Sequence, residues 1–400
     1  MTEYQQTFLL SMLSNQAPEL VNQPFPENLD LIQQDAEQLM ESQFLASIPE
    51  RLTAMGGFAT LEWGPAIFID PSDIQEDTKT KTYNATATNT MAVFSTGSTG
   101  VYTIAIAGTK ATSIFDEKTE DAKVGVLVDW AYGVPVEQPV LKPRISTGTN
   151  DGLGVLLSLP DPKTGVNLAT YLSTLASGTV ITITGHSLGG GLAPALSLAL
   201  FGAASNISPS LLKQGLLPQV YATAGPDIGN KDYVTYLSGT FKATTPPPAN
   251  KYEQYNCKIW NSLDVVPHAW SPAFLSQIKS IYKSYGMDTP GYVGGVIDAV
   301  SADIKAHNYD PLPYNPYYSL DDALNGQFPG KFQPLDSFPS DSFINYNCNN
   351  NCNANVDVCN FVTEMLFQHI DAYFNELQIP FQAPANKMDA CAITQKLDPL

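Results

Sequence analysis

The chain has 400 residues, 44% of them apolar and 10% aromatic, enough to bury a large core without metal or disulfide staples, so it reads as one globular domain with insertions. Its 20 basic and 39 acidic residues give a net charge of -19, which argues against binding nucleic acid or an anionic membrane surface. No apolar run reaches the ~20 residues of a bilayer span, and Met1 to Gln6 lacks the basic start and apolar run of a signal peptide. A soluble, secreted protein with no visible leader is expected, with the cytoplasm as the alternative.

From Pro26 to Ile48 the apolar residues Leu29, Leu31, Ile32, Ala36, Leu39, Met40 and Leu45 recur at helical spacing, which predicts an N-terminal packing helix over 26–48. Asn84 to Ser95 and Val101 to Ala107 read as two strands of a hairpin around the turn Thr96 to Gly100. Residues 110–129 are charged and poorly periodic, a loop or a mobile helix. After a helical pattern at Leu168 to Leu175 comes Val180 to Thr184, a β-branched run typical of a buried parallel strand.

Leu188 to Leu200 suits a helix that must hold Pro194 in its first turns, and Gln219 to Ala224 and Lys258 to Asn261 read as further core strands. Strands alternating with helices imply a mainly parallel sheet covered on both faces. Between Ser271 and Ile344, helical patches (Phe274 to Tyr285, Val296 to His307) give way to Pro- and Tyr-rich segments, and residues 271–344 read as an insertion or cap over the core. Val362 to Leu377 returns to helical spacing. Of the five cysteines, Cys348, Cys352 and Cys359 crowd together, with Cys257 and Cys391 elsewhere. A disulfide or plain thiols fit this pattern better than a zinc site, which wants C-x-x-C pairs and a fourth ligand.

The chemistry-bearing motif is Gly185-His186-Ser187-Leu188-Gly189. A serine hydroxyl is a poor nucleophile at neutral pH and needs a histidine to take its proton and an acid to orient that histidine. In G-x-S-x-G the serine occupies a strained strand-to-helix turn, the small residues permit close backbone approach, and the following N–H groups point at the developing oxyanion. A phosphate-binding loop would need a Lys-Ser or Lys-Thr pair, and none follows. The motif thus predicts an α/β-hydrolase with Ser187 as nucleophile and no cofactor.

Beyond the elbow, several segments resemble the class 3, fungal-type triacylglycerol lipases of the α/β-hydrolase superfamily. Ile104 to Thr109 resembles that family's strand ending in Gly-Thr, Gly185 to Gly190 its preferred elbow, Thr223 to Asn230 its glycine-proline segment, and Asn261 to His268 its acid motif. The resemblance implies Asp264 as triad acid and Thr109, with Leu188, as oxyanion donors. Its usual Phe-Arg before Gly-Thr is Ile106-Ala107 here, and its His-x-Gly-Phe is Ser146 to Thr149, departures that bear on the shape of the substrate site. The likeness places a lid at 110–129, with 271–344 as the competing cap.

Four histidines compete for the base. His186 should point away from the serine hydroxyl, His268 lies only four residues past Asp264, and His307 belongs to the insertion. His369 comes late, in the order Ser, Asp, His expected of the superfamily, and Gln368 to Tyr373 resembles the family's terminal histidine segment. Asp371 is set aside as the orienting acid because one helix should carry both it and His369. The expected function is carboxylic ester hydrolysis through Ser187, His369 and Asp264, acting on triacylglycerol at an oil-water interface. Phospholipase A1 or short-chain esterase activity is the alternative, and a binding protein that has lost catalysis is the reading from another class. Oligomeric state is not legible.

Overall fold

The computed structural model describes residues 1–97, 100–108, 125–134, 141–208, 211, 214–242, 248–307, 325–335, 338–339, 341–346, 355–380 and 388–397. Its centre is a seven-stranded sheet of β1 (Ala59–Phe68), β2 (Asn89–Thr96), β3 (Val101–Ile106), β4 (Val180–His186), β5 (Leu217–Thr223), β6 (Cys257–Asn261) and β7 (Asn325–Phe328). Their spatial order follows the chain from β1 at one edge to β7 at the other. The first three strands form an antiparallel meander, and β3 to β7 run parallel. This is the α/β-hydrolase layout that the alternation of patterns predicts.

The hydrophobic pattern explains the centre. Ile104, Ile106, Ile181 and Ile183 are fully buried, and each contributes roughly 1.5–3 kcal/mol by leaving water. β3 and β4 pair in register with Ile104 beside Ile183. The helix α3 (Leu188–Phe201) is apolar all round and buried along nearly its whole length, as a helix inside the core must be. The C-terminal ends of β3 to β6 therefore open on one edge, where a parallel sheet builds its sites.

Two N-terminal helices frame the sheet. The first, α1 (Glu3–Ser14), has no counterpart among the predicted elements. Its Thr2 and Gln5 form a reciprocal capping box, while Ser11 and Ser14 bond back to the carbonyls of Phe8 and Ser11. Those bonds bury two polar residues beside Phe8, Leu10 and Leu13, which blurs the apolar stripe. The second, α2 (Ile32–Ala54), follows a short turn at Leu29–Leu31 and runs past the expected end at Ile48.

Three other expectations are corrected. The strand expected from Asn84 is two elements: Thr82–Ala85 joins a small antiparallel sheet with Leu20–Pro24 and Ile74–Asp77, and β2 begins at Asn89. Residues 271–344 are not all insertion, since β7 pairs with β6 through Lys258 and Asn325. Gly326 allows that pairing, because a Cβ there would stand 2.4 Å from the Lys258 carbonyl oxygen. The long C-terminal helix is two, α4 (Val356–His369) and α5 (Asp371–Glu376), broken at Ile370 with φ -126° and ψ -69°. Asp371 and His369 thus belong to different helices.

Of the expected lid at 110–129, residues 110–124 lie outside the described residues, and Leu127–Asp129 pairs with Arg144–Ser146. Cys348 and Cys352 also lie outside them, whereas Cys359 and Cys391 are each in a disulfide. Among the described residues, no helix is long and apolar enough to cross a membrane and no His, Cys, Asp and Glu cluster could hold a metal.

Candidate active site

Ser187 sits between β4 and α3 with φ 61° and ψ -129°. A non-glycine residue in this region carries strain of about 1–3 kcal/mol, which the surrounding packing must hold. The neighbouring glycines make room for it. A Cβ on Gly185 would lie 2.1 Å from the Gly189 carbonyl oxygen, and one on Gly108, just past β3, would lie 2.9 Å from Ser187 Cβ. The N–H groups of Gly190 and Gly191 return to the Ser187 carbonyl at 2.8 and 3.2 Å. Leu188 supplies the first amide of the helix.

His369 ends α4 and is 3% exposed. Its Nδ1 donates to Asp264 Oδ2 at 2.8 Å and lies 3.0 Å from Oδ1. The carboxylate is fully buried and also accepts the Val266 N–H at 3.0 Å and the Tyr373 hydroxyl at 2.8 Å. With Nδ1 committed to Asp264, the imidazole's remaining lone pair lies on Nε2, which is buried and has no hydrogen-bond partner among the described residues.

His186 lies against this pair, with its ring 4.8 Å from that of His369. Its Nε2 donates to the His369 carbonyl at 2.8 Å, so Nδ1 is bare and accepts the Thr223 hydroxyl at 3.0 Å. Burial, reinforced by the neighbouring His369, pushes the His186 pKa well below the usual imidazole range. His186 is therefore neutral and anchors the backbone of the candidate base from outside the triad.

Ser187, Leu188, Asp264 and His369 are thus brought to one edge of the sheet. Thr109 and the side chain of His307 lie outside the described residues. His268 donates from Nδ1 to the Asp264 backbone carbonyl at 2.7 Å and not to its carboxylate. Asp371 accepts the Ser342 hydroxyl and the Phe343 N–H, so it is occupied with the 342–344 turn.

Residues 156–274 match the family model for lipases of class 3. Over these residues the chain is similar to the lipases of class 3. The class 3 match spans β4, the elbow, β5, β6 and Asp264, and stops before α4. A crystal structure of M37 lipase, 22% identical, superposes with a TM-score of 0.66, covering 95% of this chain and 93% of that one, and shows the shared fold. A lipase from Rhizopus microsporus var. chinensis (14% identical, 68% and 72% covered, TM-score 0.37) and Lip2 lipase from Yarrowia lipolytica (15%, 55% and 63%, 0.34) are weaker matches. A search of curated proteins finds no relative of the sequence.

The class 3 motifs do not reveal the polar scaffold around the acid and base. Tyr373, fully buried, also accepts the Asn261 N–H at 3.1 Å, and Asn261 Nδ2 donates to Gln368 Oε1 at 2.7 Å. Gln368 Nε2 donates to Glu364 at 2.8 Å, and burial pushes the Glu364 carboxyl up to about 7. Beneath the 264–268 turn, Lys258 Nζ donates to Asp227 Oδ1 and to the Pro267 carbonyl, each at 3.1 Å. Asp227, Asn261, Gln368 and Tyr373 fall within the segments that resemble class 3 motifs, but nothing beside them in sequence marks the partner each one meets.

Proposed function

We propose that this lipase-type ester hydrolase cleaves triacylglycerols through an acyl-enzyme, with Ser187 as nucleophile, His369 as base and Asp264 as orienting acid. The observation that carries the reading is the buried Nε2, unpartnered among the described residues, of an imidazole locked by Asp264 on the same sheet edge as a strained serine. Ser187 Oγ attacks the ester carbonyl while His369 Nε2 accepts its proton. The imidazolium is stabilised by the Asp264 carboxylate and returns the proton to the leaving alcohol. Water, deprotonated by the same imidazole, then releases the acid and restores Ser187.

The oxyanion that forms twice in this cycle meets the Leu188 N–H at the positive end of α3 and, on this reading, the N–H and hydroxyl of Thr109. Such donors are worth about 3 kcal/mol each. A lid, proposed at 110–129 with 271–344 as the competing cap, would raise turnover on an emulsion over that on dissolved ester.

The test is turnover of p-nitrophenyl esters of graded chain length, of emulsified triglyceride and of phospholipid, beside Ser187→Ala. The reading expects long-chain and triglyceride cleavage that Ser187→Ala abolishes. Cleavage of short esters alone makes the protein an esterase, cleavage of phospholipid alone a phospholipase, and no cleavage by the wild type removes catalysis altogether.

A further inference from the structure

The chain leaving β3 presents a backbone problem. Ala107 N–H still reaches the sheet, donating to the Thr90 carbonyl at 2.9 Å, but Gly108 lies one residue beyond the ladder. Gly108 lies close against the elbow, where a Cβ on it would meet the His186 carbonyl oxygen at 2.5 Å and Ser187 Cβ at 2.9 Å. A part-buried amide that has left the ladder needs another acceptor. The acceptor comes from 93 residues away: the Gly108 N–H donates to Asn15 Oδ1.

Asn15 is the C-cap of α1, and that helix is fastened around the same site. Phe8 packs edge-on to His186 at 5.7 Å and stacks on Tyr373 at 6.4 Å. Gln5 donates to the Leu377 carbonyl just after α5 at 2.7 Å, and Gln16, next to Asn15, accepts from Arg51 of α2. The tip of α1 is therefore held from both sides, and the Asn15 side chain reaches from it to the Gly108 N–H.

We infer that Asn15 is a positioning residue for catalysis: by taking the Gly108 N–H it fixes the chain leaving β3 against Ser187, on the side where the oxyanion develops. The inference rests on the ester-hydrolase reading. Asn15 acts through Gly108 and on the transition state, so its loss falls on kcat rather than on substrate capture.

The experiment compares wild type, Asn15→Ala, Asn15→Leu and Gln5→Ala on one soluble ester, with melting temperature recorded for each. Asn15→Leu keeps most of the side chain's volume and loses the acceptor, which guards against a loss of fold in Asn15→Ala. Gln5→Ala loosens α1 from Leu377 without touching Gly108. Expected is a fall in kcat of about tenfold or more for both Asn15 variants, with KM within about twofold and Gln5→Ala near wild type. Unchanged kcat in both Asn15 variants, a KM that rises in step, or an equal loss in Gln5→Ala overturns the proposal. A wild type that cleaves no ester ends the ester-hydrolase reading itself, whereas active wild type with unimpaired Asn15 variants ends only this one.

Discussion

The proposed nucleophile and the proposed base are built in opposite ways. Ser187 is strained by its immediate neighbours: β4 ends at His186, α3 starts at Leu188, and Gly185 and Gly189 leave the space for φ 61°. His369 ends a helix with little local definition, and its orientation comes from Asp264, 105 residues earlier, and from His186, 183 residues earlier. A turn made by small adjacent residues survives changes far away. A base held by long-range hydrogen bonds depends on the whole fold.

This contrast can be broken at its two ends. Ser187→Ala and His369→Ala should each lower kcat by about 10⁵–10⁶-fold, because members of a triad act as one unit. His307→Ala should leave kcat near wild type, and a dead His307→Ala with an active His369→Ala would move the base elsewhere. Next in size is Asp264→Asn, expected to lower kcat by about 10⁴-fold by favouring the wrong tautomer of His369 while the fold stays intact. Steady-state kinetics with melting curves checks all of these.

Tyr373→Phe removes one of the three donors that hold the Asp264 carboxylate. A loss of about 1.4 kcal/mol, or tenfold in kcat, is expected with KM unchanged. No change would mean that His369 and the Val266 N–H suffice to hold Asp264.

The smallest effect concerns stability. Glu364 has its folded pKa raised to about 7 from 4.5 by burial, so the native state holds this proton more tightly than the unfolded chain. The stabilisation it brings is complete below about pH 4.5 and is lost as the pH rises to about 7. Half-buried Glu41, raised to about 7 mainly by burial, acts in the same direction. His186, held neutral, acts oppositely, losing stability as the pH falls below the ordinary imidazole range. The difference between wild type and Glu364→Gln isolates one group: unfolding free energies should diverge by on the order of 2 kcal/mol between pH 4.5 and 7, with the variant the flatter. Parallel curves would mean that Glu364 is not protonated in the fold.

The sheet and the elbow were legible because each is specified within a few residues. The β-branched run at Val180 to Thr184 and the glycines around Ser187 mark strand and turn, and Asp264 follows closely on β6. His369 was legible only through chain order and likeness, since nothing beside it in sequence shows that Ile370 breaks the helix there. Asn15, Tyr373 and the Lys258 and Asp227 pair were not legible, because each works through a partner that only folding supplies. The helix α1 was missed for a related reason, its serines being buried by bonds to its own backbone.

The central claim is that His369 activates Ser187, and the rate and site of fluorophosphonate labelling test it without assuming a substrate. The account predicts a single adduct on Ser187 in the wild type, none in Ser187→Ala, and labelling slowed by orders of magnitude in His369→Ala. An adduct on another residue, or equal labelling rates in wild type and His369→Ala, would contradict it.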